Sequence, residues 1–328
     1  MGILWMILLL TVGGGPERGP RVRVTPLGEV KLRDVRAPVA AVVDAAGDVY
    51  VLDQGVVEPV RSHTGSSTRL RKFDASGHLL QEFDLAGGEG ISLALSGDRL
   101  FVGILTPTAT EVASFSLAGQ RIGRVDLSGF VPLKILPAAD GTLHVVGFDR
   151  SRVDASGHYL VRTLKGDGSM AAPSLPITSA EAARMAGRTD CFVSVNRSSL
   201  LHIASNGLVR DTSGGQFALD LKFSPPPSFV PADWSRSVRP YLAVYEDGKL
   251  LLSVGESISY RDAAGKAQRL VRDYFFVFDS KGKLLATSGP ITASPTIRGE
   301  DGYYYILGYD EKGQVSLVKF HIEIPDRK

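Results

Sequence analysis

The sequence is poor in the residue classes that would point to one particular chemistry. Its 328 residues include a single cysteine, Cys191, which excludes an internal disulfide and any zinc or iron–sulfur site built from several cysteines. Lysine and arginine total 37 against 35 aspartates and glutamates, so the net charge of +2 creates no strong overall field. A nucleic-acid-binding protein is therefore not expected, because such proteins concentrate basic charge.

Long hydrophobic runs are also absent. The longest, residues 3–12 (ILWMILLLTV), has ten residues, whereas a helix that crosses a bilayer needs about 20. The run resembles the apolar region of a secretory signal, with Val12 and Gly14 as small residues at a cleavage site, although no basic residue precedes it. We predict that residues 1–15 are a signal peptide or apolar N-terminal segment and that the protein is exported, periplasmic or secreted. A buried strand and a wrongly assigned start are the alternatives.

One phrase recurs along the rest of the chain: an apolar strand, a turn rich in aspartate and glycine, and a second apolar strand. It occurs six times, at residues 41–53, 93–104, 134–149, 192–205, 242–255 and 295–310. The turns centre on positions 47, 97, 141, 198, 248 and 302, giving steps of 50, 44, 57, 50 and 54 residues. This period is typical of a four-stranded propeller blade. The sequence therefore predicts an all-β, six-bladed β-propeller over residues 20–324.

A second hairpin phrase follows most copies, at residues 70–85, 112–127, 159–175, 208–221 and 274–289. Only one strand, at residues 315–324, follows the sixth copy, so the last blade lacks a strand. We predict that residues 21–32 supply it and close the ring, which removes exposed strand edges. The phrases DVYVLD, RLRKFDASGHLLQEFDL and YFFVFDSKGKLLATSG resemble those of bacterial six-bladed β-propellers related to NHL-repeat proteins. That resemblance implies an architecture and no particular reaction.

Loop length distinguishes the two ends of the predicted ring. The turns within hairpins are short and lie at what we call the short-turn end. The long connections lie at the other, long-loop end, at residues 54–68, 148–157, 178–190, 224–240 and 256–272. Residues 178–187 have the caps of a short helix. Long loops on a rigid scaffold commonly bind ligands, and tolerated insertion is the alternative.

Candidate binding residues follow from this geometry. We predict that five polar residues lie at the long-loop ends of the innermost strands and face the channel: Arg36, Lys134, Asp190, Arg239 and Arg298. Four of the five are cations, which favours a carboxylate or phosphate ligand over a metal. Trp234, flanked by Arg236 and Arg239, suits a carbohydrate, aromatic or anionic partner, or else fills a groove between blades.

Two histidines are the strongest hint of catalysis. His144 and His202 occupy equivalent positions in consecutive blades, where they form either a metal or acid–base pair or, as we predict, part of the packing between blades. Calcium-dependent propellers similar to gluconolactonase use asparagines from different blades, but Asn196 and Asn206 fall in one predicted blade.

The sequence as a whole predicts an exported, monomeric and noncatalytic scaffold that requires no cofactor. Its expected partner is a protein, a glycan or an anionic small molecule. The alternative is a metal-dependent hydrolase or lyase in the central channel, with Asp190, Asp53 or Glu58 and a histidine as ligands.

Overall fold

The computed structural model is an all-β ring of six antiparallel sheets, which confirms the predicted six-bladed propeller. It describes residues 20–55, 68–85, 87–127, 129–138, 142–149, 159–164, 191–196, 199–204, 206–211, 215–291, 293–310 and 312–325. No helix occurs among these residues, and so none that could cross a membrane. The helix predicted at residues 178–187 lies outside the described residues.

The first three blades follow one another along the chain. Blade one contains β2 (Pro38–Val43), β3 (Val49–Asp53), β4 (Arg69–Phe73) and β5 (Leu79–Phe83). Blade two contains β6 (Glu89–Ser96), β7 (Arg99–Leu105), β8 (Thr110–Ser116) and β9 (Arg121–Asp126). The described part of blade three contains β10 (Phe130–Pro137), β11 (Leu143–Asp149) and β12 (Tyr159–Leu164).

Blades four to six complete the ring. Blade four contains β13 (Cys191–Asn196), β14 (Ser199–Ile203), β15 (Leu208–Asp211) and β16 (Gln216–Ala218). Blade five contains β17 (Ser235–Glu246), β18 (Lys249–Arg261), β19 (Ala267–Phe278) and β20 (Leu284–Thr287). Blade six contains β21 (Ile297–Arg298), β22 (Tyr304–Tyr309), β23 (Val315–Glu323) and the N-terminal β1 (Arg23–Lys31).

The predicted ring closure is confirmed by the pairing of β1 with β23. The two strands are antiparallel, with a register from Arg23 opposite Glu323 to Lys31 opposite Ser316. Beyond β1, the backbone N–H of Leu32 donates to the carbonyl of Val315 over 2.9 Å. The N-terminal strand thus covers the outer edge of the last blade, which would otherwise expose a row of unpaired backbone groups.

Five turns share one local device. Each begins with an aspartate whose Oδ1 accepts the backbone N–H groups of the residues two and four positions later, and the glycine three positions later has a positive φ. The aspartates are Asp44, Asp74, Asp262, Asp279 and Asp310. Aspartate and glycine recur at these points because the carboxylate satisfies turn N–H groups and glycine tolerates a left-handed backbone.

The cores lie between neighbouring sheets. Tyr50 and Leu70 of blade one, for example, pack with Leu100, Val102 and Phe115 of blade two, and all five are essentially inaccessible to water. Residues of both faces of each sheet are therefore buried, and only the innermost strand of each blade has an edge toward the channel.

The innermost strands of four blades carry a β-bulge near the long-loop end. The bulged residues are Val39, Ile91, Leu133 and Tyr241, which we call the bulge ring. A proline or glycine precedes each one: Pro38, Gly90, Pro132 and Pro240. Proline is tolerated here because an edge strand at a bulge does not need every N–H for its ladder. The bulges turn side chains outward, so Val39 and Leu133 are 40% and 42% exposed.

The prediction of a long loop at residues 256–272 is wrong. Strand β18 continues to Arg261 and β19 begins at Ala267, so only a tight turn joins them, with Asp262 and Gly265 in its first and fourth positions. Because β17 also begins early, at Ser235, three strands of blade five project about five residues past the bulge, or roughly 17 Å. We call this projection the blade-five extension.

Candidate functional site

The innermost strands enclose a channel of about 740 Å³. Its wall is mainly aliphatic, formed by side chains such as Val39, Ile91, Leu133, Leu242 and Ile297. Among the described residues that line it, only Lys134 and Arg298 are charged. The channel is thus an apolar cavity of the size that holds small molecules, with polar groups at few positions.

Three cations lie near the long-loop ends of the innermost strands of blades one, three and five, and of these Lys134 lines the channel. Lys134 follows the bulged Leu133 and is half-buried in the channel wall. Arg239 lies two residues before the bulged Tyr241, with its guanidinium carbon 5.6 Å from the centre of that ring. Arg36 is exposed just before β2. None of the three forms an ion pair with a carboxylate in the part of the chain that the structure describes.

The structure separates Arg298 from these cations. Strand β21 has only two residues, so Arg298 directly precedes the turn at residues 299–303 and lies at the short-turn end rather than at the long-loop end where we expected it. Its guanidinium pairs with Glu246 over 3.2 Å and also donates to the carbonyls of Gly299 and Tyr303. Asp190, the remaining candidate of this group, lies outside the described residues.

Asp53, one of the ligands in the alternative metal site, has a structural role, because both of its carboxylate oxygens accept hydrogen bonds from the protein. Its Oδ1 accepts the backbone N–H groups of Arg36, Ala37 and Gly55, and its Oδ2 accepts a hydrogen bond from Arg71 over 3.2 Å. The carboxylate is buried, and these contacts fix the start of blade one. No group of three metal-ligating side chains occurs among the described residues, and Glu58 lies outside them.

A buried ion cluster supports one face of the blade-five extension. Glu256 is completely buried and pairs with Arg272 over 2.6 Å and with Arg236 over 2.7 Å. Arg272 also donates to the backbone carbonyls of Ser224 and Pro225, so the cluster holds the loop before β17 against the sheet. The Tyr274 hydroxyl donates to Glu256 over 3.2 Å, and burial, together with the nearby Glu256 charge, raises the pKa of Tyr274 to about 12.

Trp234 and Arg236 belong to this supporting structure. The guanidinium carbon of Arg236 lies 4.9 Å from the Trp234 ring centre and 5.1 Å from that of Phe223. One face of the half-buried Trp234 is therefore covered, and the charge of Arg236 is balanced by Glu256. Arg236 and Arg239 are three positions apart in β17, so they project from opposite faces of the sheet.

Arg239 has neighbours that the sequence did not reveal. In the extension, Arg239, Gly255 and Asp273 lie side by side on three adjacent strands and share one face. The Tyr241 ring packs over Gly255, because a Cβ placed there would lie 2.4 Å from the tyrosine oxygen. Only glycine leaves room for this ring between Arg239 and Asp273.

Asp273 is the most perturbed acid in this group. Its Oδ1 is buried and has no hydrogen-bond partner among the described residues, and the hydroxyl of Ser294 donates to the carbonyl of Val254 over 3.4 Å. Burial raises the pKa of Asp273 to about 6, and Ser294 opposes the shift. Burial also raises the pKa of Tyr241, and the charge of Asp273 adds to that rise. A glycine inside a strand signals such close packing, but nothing in the sequence singles out Asp273.

The two histidines are buried in their blades. His144 lies in β11 with its Nδ1 3.3 Å from the Thr163 hydroxyl, and His202 lies in β14 with its ring stacked on Phe192 at 4.9 Å. Both contacts lie within a single blade, so they show buried packing inside the sheets, and packing between blades stays a prediction.

Neither a protein-family model nor a curated protein sequence matches the chain. Among solved structures, it is similar to the PQQ-bound aldose sugar dehydrogenase from Streptomyces coelicolor (TM-score 0.50, 11% identity, covering 93% of this chain and 100% of that one). A luciferin-regenerating enzyme gives a TM-score of 0.46 at 14% identity, covering 91% of this chain and 95% of that one. Myxococcus xanthus glutaminyl cyclase gives 0.38 at 11% identity, covering 94% and 100%. At these identities the similarity concerns the fold alone.

Proposed function

We propose that this protein is a noncatalytic binding module that holds an anion, a carboxylate or phosphate, at the long-loop end of its channel. The observation that carries the proposal is the presence there of Arg36, Lys134 and Arg239 without a described acidic partner. Guanidinium and ammonium groups donate short, charge-assisted hydrogen bonds to such anions. The rigid ring of sheets provides the fixed geometry that such recognition needs.

Among the carboxylates described near the three cations, Asp273 is separated from Arg239 by the Tyr241 ring over Gly255, and two others have structural partners. Asp53 is used by Arg71 and three backbone N–H groups. The Oε1 of Glu89 accepts a hydrogen bond from Gln54 over 3.1 Å. An incoming anion would therefore meet cations that are not already neutralised, which favours binding.

Calorimetric titration at low salt tests this proposal, with inorganic phosphate and butanoate as probes. The variants are Arg36→Gln, Lys134→Gln and Arg239→Gln. The control is Arg124→Gln, which removes an exposed arginine from the outermost strand of blade two. We expect each site variant to weaken binding about tenfold or more, since a hydrogen bond to a charged group contributes about 1.5–3 kcal/mol. Equal affinity in all four variants would contradict the proposal.

Three broader statements remain proposals that rest on sequence. We propose export through residues 1–15, which fusion of this segment to a periplasmic reporter would test. The relation to NHL-repeat proteins rests on the hairpin phrases quoted above. A protein or glycan partner would meet the surface around the half-buried Trp234, one ring face of which is covered by Arg236.

A second candidate function is acid–base catalysis beside the same cations. It is favoured by Asp273, a carboxylic acid with a pKa of about 6, next to Tyr241 and Arg239. An acid with such a pKa exchanges protons readily near neutral pH. Turnover of esters or lactones by the wild-type protein, lost in Asp273→Asn, would support this function over simple binding.

A further inference from the structure

Arg36 and Arg239 precede the bulges of their strands and Lys134 follows the bulge of its own, and the channel wall beside these cations is more apolar than a site for a small inorganic anion needs. Three of the four bulge-ring side chains, Val39, Ile91 and Leu133, are aliphatic and line the channel. Val39 and Leu133 remain 40% and 42% exposed, although each could be buried by a ligand. Exposed aliphatic groups that converge in a cavity favour an apolar occupant, because covering them releases water.

The same strand geometry limits how far this apolar region extends. The bulges lie near the long-loop ends of β2, β6, β10 and β17, within about two residues of Lys134 and Arg239, or roughly 7 Å. Beyond the bulges, the innermost strands continue as regular edges, whose free N–H and C=O groups face the channel and require water. Aliphatic side chains such as Leu93, Ile135 and Leu242 continue the wall past the bulges, and the more exposed Val39 and Leu133 form a short collar near the mouth.

We infer that the ligand is an amphiphilic anion, whose charged head binds Arg36, Lys134 and Arg239 and whose short apolar body lies against the bulge ring. The inference rests on the proposed anion-binding function and specifies its ligand class. The cations and the aliphatic bulge ring that lies between them select this class over a sugar phosphate, which would leave Val39 and Leu133 in contact with polar groups.

Titration of the full chain with a carboxylate series, butanoate, hexanoate, octanoate and dodecanoate, tests the inference. We expect each added methylene to tighten Kd about three- to fourfold while it contacts the bulge ring, and the gain to level off by dodecanoate, where the chain would meet the polar strand edges. Octanol, which lacks the charge, should bind much more weakly than octanoate. Affinity that does not change with chain length would overturn the inference and leave anion binding intact.

A matched pair of variants locates the apolar contact. Leu133→Ser should weaken octanoate binding roughly tenfold and leave phosphate binding unchanged, since it removes one aliphatic wall residue and no charge. Leu80→Ser is the control, because Leu80 is 54% exposed on the outermost strand of blade one and does not line the channel. Equal losses in both variants would show general adsorption to surface leucines and contradict the inference. Failure of every anion to bind, phosphate included, would instead reject the proposed function.

Discussion

Replacing Asp273 with asparagine should make the protein more stable at neutral pH. Burial raises the pKa of this acid from 3.8 to about 6, so the folded state holds the proton more tightly than the unfolded chain does. Proton binding by Asp273 thus stabilises the folded wild type relative to the unfolded chain at low pH. This stabilisation is lost as the pH rises from about 4 through about 6. A rise of about 2 in the pKa corresponds to at most about 3 kcal/mol, and less where solvent reaches the carboxylate.

Asparagine keeps the shape of the side chain and cannot ionise. We therefore expect Asp273→Asn to match the wild type near pH 4 and to exceed its free energy of unfolding progressively up to about pH 7, by as much as about 3 kcal/mol. Urea unfolding followed by circular dichroism at several pH values measures this difference. Both proteins should show the same slope of free energy against urea, because the variant changes no buried surface.

Asp279→Asn provides a control with the opposite sign. Backbone hydrogen bonds from Lys283 and Lys281 lower the pKa of this exposed turn aspartate. Its ionised form stabilises the fold fully above about pH 4, so the variant should be less stable than the wild type by a constant amount from about pH 4 to pH 8 and approach the wild type only in more acid solution. If Asp273→Asn were instead less stable than the wild type at pH 8, or if its effect did not change with pH, the assignment of a buried and poorly solvated Asp273 would be refuted.

Three further predictions concern the framework. Gly147→Ala should cost about 3 kcal/mol or more in thermal or urea unfolding, because its Cβ would lie 1.9 Å from a backbone oxygen, whereas Gly28→Ala, with open space around it, should be nearly neutral. Glu256→Gln should cost about 3–5 kcal/mol by leaving buried arginine charge unpaired, against under 1 kcal/mol for Glu323→Gln in an exposed pair. Deleting residues 20–32 should expose the edge of β23 and produce concentration-dependent aggregation in light scattering; a monomeric product of unchanged melting temperature would contradict the role of ring closure.

The sequence predicts the ring well because its signals are local and repeated. Aspartate and glycine fix each turn, as at Asp74 and Gly77, and the apolar alternation fixes each strand. Counting strands then requires a closing strand at the N terminus, and β1 pairs with β23 as predicted. These conclusions depend on short-range chemistry that repeats around the ring.

The site is predicted less well because it depends on register and on contacts between blades. Because β21 has only two residues, Arg298 lies at the short-turn end, and no local sequence pattern predicts that β21 is so short. The sequence predicts a loop at residues 256–272, whereas the structure has two paired strands there, β18 and β19, joined by a tight turn. Asp273 approaches Tyr241 only because a bulge turns that ring over Gly255, a relation that the linear sequence does not contain.

The most direct test of the central claim is a calorimetric titration of octanoate into the wild-type protein and into the triple variant Arg36→Gln/Lys134→Gln/Arg239→Gln. We predict saturable binding at one site in the wild type and its loss in the triple variant, whose circular dichroism spectrum should match that of the wild type. Equal binding by the triple variant, or none by the wild type, would contradict an anion site at the long-loop end of the channel.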